Sequence, residues 1–396
     1  MNRTGSGSGR TILFFCGQPL ANAAIGQRVT VFGKFLKNAG WRVHFASVDP
    51  GFAGDPYVVK DREYDEAVEI LGGTHYRLLP DGRREGISPA AYLMECRRIA
   101  KRIDQRAGEL RATHIYLSTS LPACLAAAIL LPKKSRQVWM DVDDWSAGQF
   151  AARGGGGLVG GIYELFERIL PRLAGRRLTV CSRELQRLLP GSTLIPNFIR
   201  LEDVPPMDPR FGGDRIRVAF ASGVTAYHGH IPFLETLAKR RDEAARLGFC
   251  FLGDGDCLGE VRRKVATLGL EGQVELTGRL ARAEMLGRLA GMEIGILPLW
   301  NTRLNRARFP LKILDYLACG CALAASNVGM AGEALKHGEN VLLSLPGDMD
   351  GLMDNVLKLA QDGDLRYRLS VQGRETVCRY GAEKVCADWA KLLEAP

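Results

Sequence analysis

The chain reads as an α/β protein of two halves, each a parallel sheet wrapped by helices. Three observations predict this. Short apolar runs, such as TILFFC at 11–16 and ILPL at 296–299, alternate with stretches whose apolar residues recur every three to four positions. A strand buried on both faces of a parallel sheet gives the first pattern, and an amphipathic helix gives the second. Finally, the segment 201–214, LEDVPPMDPRFGGD, carries three prolines and two glycines and interrupts that alternation, as a linker between domains does.

In the first half, the run at 11–16 stops at Gly17, and a helical pattern follows over 27–38, ending at Gly40. The run WRVHFAS at 41–47 completes a β-α-β unit. Gly26 and Arg28 stand at the loop-to-helix junction, where a doubly wound sheet binds ligands at the carboxyl ends of its strands. Gly26 there either admits a phosphate close to the backbone or only satisfies a turn. Residues 55–86 read as irregular. A helix is expected over 90–110, basic on one face through Arg97, Arg98, Lys101 and Arg102. Strands follow at 114–118 and 137–141, separated by a helix at 122–131. The second strand runs into Asp141, Asp143 and Asp144. Clustered acids are unfavourable unless solvated or used by a cation, a hydrogen bond or catalysis, and nothing nearby completes an oxygen ligand set for a metal. The glycine-rich 154–161 has no strand before it and no lysine-serine ending, so it is a mobile loop rather than a phosphate loop. The helical pattern at 162–173, with arginines at 168, 172, 176 and 177, either packs on the core or lies on anionic lipid. A strand at 178–181, a helix at 184–189 and a strand at 193–197 lead to the linker.

The second half repeats the alternation. Strands are expected at 217–222, 249–252, 274–277, 294–297, 321–326 and 341–344, with helices at 232–247, 258–268, 282–290, 349–359, 364–377 and 382–393. The stretch 301–329 is the most informative. Pro310 suits the first position of a helix, where its missing N–H costs nothing, and Gly320 stops that helix. Lys312 and Asp315 are three apart and share a helix face, while Arg303, Arg306 and Arg308 crowd the approach. A helix N-terminus favours anions. Lys312 therefore makes either a diphosphate seat, with Asp315 taking a sugar hydroxyl, or a solvated ion pair with Asp315.

With 396 residues, 46% hydrophobic and 24% charged, the length fits two domains of ordinary size. The net charge of +9 is spread rather than blocked, which favours nucleotide phosphates or a membrane surface over nucleic acid. The ten cysteines form no CxxC pair and fall mostly in apolar runs, as reduced core thiols do. No stretch approaches the ~20 apolar residues of a membrane span, and the polar start at 1–10 lacks a signal-peptide core. A cytoplasmic protein is expected, with the inner face of the plasma membrane as a peripheral contact.

The motifs FASGVTAYHG at 220–229, FLGDG at 251–255, VELTGR at 274–279, ILPL at 296–299, PLKILDYLACG at 310–320 and SNVG at 326–329 together resemble the family 4, group 1 type of retaining glycosyltransferase. The first half resembles it through Gly26 and Arg28, the DVDD at 141–144 and IPN at 195–197. The resemblance implies two Rossmann-like domains facing across a cleft, the GT-B arrangement. A flexible arm would span 1–10, an acceptor domain 11–200, the linker 201–214 and a nucleotide-sugar domain 215–375. A C-terminal helix within 376–396 would cross back to the first domain. It implies a hexosyltransferase that moves a sugar from a nucleotide-diphosphate sugar to a glycan or lipid-linked acceptor with retention. Neither metal nor cofactor would take part. Gly278 and Arg279 would lie by the base, Gly223 and Gly229 by the diphosphate, and His228 where the family usually has lysine. Lys312 would meet the diphosphate and Asp315 the ribose. Gly26, Arg28 and Asp141 would face the cleft, and Asp143 and Asp144 would orient the acceptor. Two family features are absent: the donor-loop arginine is Val224, and the acid eight before Asp315 is Ala307. Arg306 or Arg308 is expected to restore the lost charge. A nucleotide-sugar epimerase of the same fold, a dinucleotide-dependent oxidoreductase and a non-catalytic nucleotide- or sugar-binding protein are the rival readings. The first needs acid and base groups in the cleft, the second lacks GxGxxG, and the third draws on Val224 and Ala307.

Overall fold

The computed structural model describes residues 9–394, apart from 21–22, 53–54, 61–65, 75, 79–83, 120, 133–134, 147, 149–160, 162–163, 166, 170–176 and 207–214. The expected glycine-rich loop and most of the helix at 162–173 thus lie outside the described residues. Two compact units emerge, one of Met1–Pro196 with Cys386–Pro396 and one of Asn197–Val385.

The first unit holds β1 (Thr11–Cys16), α1 (Ala23–Asn38), β2 (Arg42–Val48), β3 (Tyr57–Lys60), β4 (Ala67–Gly72) and the hairpin β5 (Tyr76–Leu78) and β6 (Arg84–Gly86). There follow α2 (Pro89–Glu109), β7 (His114–Ser118), α3 (Pro122–Leu130), β8 (Gln137–Val142), β9 (Leu178–Val180), α4 (Arg183–Leu188) and β10 (Thr193–Leu194). Its sheet has the order β10-β9-β8-β7-β1-β2-β4-β3, parallel except for the β3–β4 pair. β1 and β7 are buried along their whole length, as central parallel strands are. Pro89 opens α2 and the Ser88 hydroxyl accepts from Ala91 N at 3.3 Å, a proline and a cap where each is favoured. The strands within 55–86 were not expected. β3 is a four-residue edge strand, and β4 carries Glu69 mid-run, which pairs with Arg106 of α2 at 2.7 Å; the charge hides the strand pattern.

The second unit holds β11 (Ile216–Ala221), α5 (His230–Lys239), β12 (Leu247–Leu252), α6 (Leu258–Thr267), β13 (Val274–Leu276), α7 (Arg282–Ala290) and β14 (Ile294–Leu297). It continues with α8 (Arg303–Ala307), α9 (Leu311–Ala318), β15 (Ala322–Ser326), α10 (Met330–Ala334), β16 (Leu342–Ser344), α11 (Met349–Gln361), α12 (Gly363–Val377) and α13 (Ala382–Glu394). The all-parallel order β13-β12-β11-β14-β15-β16 counts 3-2-1-4-5-6 within the unit, the dinucleotide-fold order whose switch point lies between its first and fourth strands. Pro310 caps α9 rather than opening it, and the loop expected before it contains the short α8.

The division falls at Pro196/Asn197 instead of within 201–214, because Asn197 Nδ2 already donates to Phe309 O at 2.8 Å and Ile199 bridges to Gly381. α13 begins in the second unit, and from Cys386 onward it belongs to the first. There Trp389 stacks on Phe32 at 4.1 Å and donates through Nε1 to the Tyr116 hydroxyl at 3.1 Å.

At the switch point β11 and β14 pair only through Val218–Ile294 and Ala219–Gly295. Beyond that register the Tyr316 hydroxyl of α9 bridges them, accepting from Ala221 N and donating to Ile296 O at 3.0 Å. Gly295 makes room: a Cβ there would lie 2.5 Å from Tyr316 Cδ1. Tyr316→Phe keeps the ring and strands two buried backbone groups, so it should cost about 1–3 kcal/mol per unsatisfied group. A shift of the urea unfolding midpoint checks this; an unchanged midpoint would show that the bridge holds nothing.

Candidate functional site

The carboxyl ends of β11 and β14 open onto the loops 222–229 and 298–302 and onto α9. The loop after β11 is braced from below. Val224 N donates to Asp254 O and Cys257 N to Val224 O, each at 3.0 Å. Gly253, at φ +146°, lets the Ser222 carbonyl come so near that no Cβ would fit. Val224 itself is buried in the core of the unit, so the position that lacks the expected arginine serves packing. Gly278 bridges to Gly253, which brings 278 beside this loop, and Arg279 next to it is exposed.

Gly229 ends the loop in the left-handed conformation at φ +81° and precedes α5. His228 is half-buried, and its Nδ1 lies 2.8 Å from Thr225 Oγ1. Burial, followed by the positive charges of Arg308, His230 and Lys312, pushes its pKa down to about 3. It is therefore a neutral hydrogen-bonding imidazole at physiological pH. The cations are Arg308, whose guanidinium lies 5.3 Å from the Tyr227 ring, and Lys312 in the first turn of α9. Lys312 is half-buried, and among the described residues it has no carboxylate within ion-pair distance. Burial lowers its pKa, Asp315 opposes this, and Arg282 and Arg308 add to it.

Asp315 is 2% exposed and is held by Arg282 Nη2 at 2.9 Å. The alternative of a solvated Lys312–Asp315 pair is thereby set aside. Arg306 donates to Asn301 Oδ1 at 2.8 Å, and Ala307 is fully buried. The second unit thus brings Gly223, His228 and Gly229 before the N-terminus of α5 near Arg308 and Lys312 at the N-terminus of α9. Arg282, Tyr316 and Tyr227 were not singled out in the sequence. Arg282 acts across 33 residues on another helix, and Tyr316 sits in an apolar stripe where its hydroxyl carries no local signal.

In the first unit, Arg28 grips Asp141 with two bonds, Nε–Oδ2 at 2.7 Å and Nη2–Oδ1 at 3.0 Å. It also donates to the carbonyls of Ile195 and Pro196 at 2.8 and 3.0 Å, and Thr179 Oγ1 donates to Asp141 Oδ1 at 2.6 Å. Burial alone would lower the Arg28 pKa, but the charge and hydrogen bond of Asp141 more than reverse it. Both side chains are buried, at 3% and 0% exposure, so the expectation that they face an acceptor is corrected: they are satisfied by each other and by the backbone. Gly26 lies inside α1, buried, and not at its start. Asp143 and Asp144 are half-buried beyond them. Burial, then the charges of Asp141 and Asp144, pushes the Asp143 carboxyl up to about 7. Thr119, after β7, has φ +84°, a strained conformation for a β-branched residue, and its N–H donates to Asp141 O at 2.8 Å.

The raised Asp143 pKa has a sign. Between its ordinary 3.8 and about 7, the folded state keeps a proton that the unfolded chain has lost, so stability falls as pH rises through that window. Asp143→Asn should remove this fall. The variant's gain in melting temperature over the parent should grow from pH 4 to 7 and then level; parallel profiles would contradict the burial argument.

Residues 215–362 match the family model described as Glycosyl transferases group 1. The exopolysaccharide phosphotransferase SCO2592 of Streptomyces coelicolor is 30% identical over 142 residues, 36% of this chain and 14% of that protein. The 2-deoxystreptamine N-acetyl-D-glucosaminyltransferase of Niallia circulans is 21% identical over 160 residues, 40% of each chain. The chain therefore spans well under half the length of these curated relatives. Anabaena Alr3699/HepE, solved in complex with UDP and glucose, superposes with a TM-score of 0.72 at 17% identity over 97% of this chain and 99% of that one. The ten cysteines are free, and among the described residues no group of three or more His, Cys, Asp or Glu is placed to hold a metal. By sequence the chain is similar to the group 1 glycosyltransferases through residues 215–362, and its two Rossmann-like units share the fold of Anabaena Alr3699/HepE.

Proposed function

We propose that the second unit binds a nucleotide-diphosphate sugar and that the chain transfers its glycosyl group, with retention, to a glycan or lipid-linked acceptor in surface polysaccharide or glycolipid synthesis. The observation that carries this reading is Lys312: a half-buried ammonium without an acidic partner among the described residues, in the first turn of a helix at the switch point, with Arg308 beside it. An ammonium without a carboxylate partner in the first turn of a helix, with a guanidinium near it, favours an anion at that place. The named activity of the Niallia circulans relative and the UDP in Anabaena HepE agree with such an occupant.

In this reading the anomeric C–O bond breaks toward a diphosphate whose growing charge is met by Lys312, Arg308 and the N–H groups at the start of α5. One preorganised donor of this kind is typically worth ~3 kcal/mol. The acceptor hydroxyl forms the new bond on the face the diphosphate leaves, and its proton passes to a departing phosphate oxygen. His228, neutral, donates or accepts a hydrogen bond there and adds no charge. Gly278 and Arg279 flank the base. Asp315, fixed by Arg282, offers its second oxygen to the ribose. In the first unit Asp143 and Asp144 hold acceptor hydroxyls, and a carboxyl that titrates near 7 suits proton exchange at neutral pH. The reaction runs without a metal.

Lys312→Ala should lower turnover by about a hundredfold, the rate equivalent of ~3 kcal/mol, while melting as the parent does or slightly higher. Near-parental transfer from a panel of nucleotide sugars would remove Lys312 from the diphosphate site, and loss of activity in EDTA would overturn the metal-free reading. Nucleotide binding with no transfer to any acceptor would favour a binding protein.

A further inference from the structure

We infer that Trp300 is a positioning residue of the proposed diphosphate seat, a spacer between the N-terminus of α5 and the segment that carries Arg308 and Lys312. Trp300 follows β14 in the loop 298–302, half-buried, and packs against the core of the second unit. Its indole runs between two glycines of other loops. At one end, Cη2 and Cζ3 would lie 2.9 and 3.0 Å from a Cβ on Gly229, the residue that caps α5. At the other end, Cδ1 and Nε1 would lie 3.0 and 3.3 Å from a Cβ on Gly347, in the turn after β16. Both glycines are left-handed, at φ +81° and +80°. Each position is thus closed to side chains twice, by its conformation and by the ring.

The backbone around the indole is tied as closely. Gly347 N donates to Leu299 O at 2.9 Å. The Trp300 carbonyl accepts from Thr302 N at 2.8 Å and from Asn305 Nδ2 at 3.0 Å. The Thr302 hydroxyl caps α8 by accepting from Asn305 N at 3.1 Å, and α8 leads through Arg308 to Lys312. The ring of Trp300 therefore sets where α5 begins, and its carbonyl sets where the cation-bearing segment begins. A leucine would fill the space beside the core but would not reach both glycines. A diphosphate carries two anionic groups at a fixed separation. When it bridges two helix N-termini, its binding depends on their spacing, whereas a single phosphate can rest against one of them. Trp300 thus favours a nucleoside diphosphate over a monophosphate. This role rests on the diphosphate seat proposed for the second unit.

Calorimetric titration of the full chain with UDP, GDP, ADP, CDP and dTDP, and with the monophosphate of whichever binds most tightly, tests it. The parent should prefer the diphosphate. In W300L that preference should fall by about tenfold, roughly the loss of one hydrogen bond to a charged group, and in W300F by less. G347A, which presses a methyl group on the indole, should lower the preference as W300L does, and G347A/W300L should lower it no further than W300L alone. A loss of fold stability weakens both nucleotides alike and leaves their ratio unchanged. A parental ratio in W300L and G347A would therefore overturn the role of Trp300. If W300L melts far below the parent, W300F carries the same comparison. A parent that binds none of the five diphosphates would instead overturn the diphosphate seat, and this role with it.

Discussion

One hydroxyl group sets the geometry of the second unit. Where β11 and β14 stop pairing, Ala221 N–H and Ile296 C=O would face a gap, and the Tyr316 hydroxyl fills it. A buried polar group that satisfies two backbone groups is costly to displace, so α9 is pinned by its side chain to the place where the sheet opens. Lys312, one turn before Tyr316, is delivered to the strand ends by the same pin. Asp315, adjacent to it, is turned inward onto Arg282. Gly295 is the complementary concession, because any side chain there would expel the ring.

The first unit solves a similar problem with charge. Arg28 of α1 reaches the end of β8, binds Asp141 through two hydrogen bonds and ties in the carbonyls of Ile195 and Pro196. Buried ion pairs carry a desolvation cost and add little net stability, but removing one partner is strongly destabilising. Their value here is positional: helix, strand end and the last segment before the second unit share one anchor. Thr179, Tyr116 and Trp389 extend the network to α13.

Much of the fold was legible in the sequence because its central strands are buried on both faces and read as continuous apolar runs. β3, β4 and the β5–β6 hairpin were missed because they are short or carry charge, and edge pairing leaves little apolar pattern. The donor-side residues were legible where function is local: His228, Arg308 and Lys312 follow strand ends in a short span. What sequence spacing did not reveal is which charges neutralise each other. Arg28 and Asp141 stood beside loop signals and read as cleft residues, yet they lie 113 positions apart and bury each other. Arg282 sat unremarked at the start of a helix, though its carboxylate partner is the residue expected to bind ribose. Nor did sequence spacing reveal that burial keeps His228 neutral.

The lowered proton affinity of Lys312 has a consequence for energetics rather than geometry. Burial first, opposed by Asp315, and then the charges of Arg282 and Arg308 make Lys312 hold its proton weakly. An anion placed there offsets those charges and tightens that hold, so its arrival is coupled to proton uptake once the pH nears the depressed value. If the proposed diphosphate is that anion, its affinity declines toward alkaline pH. The heat of occupation acquires a part that belongs to the buffer supplying the proton.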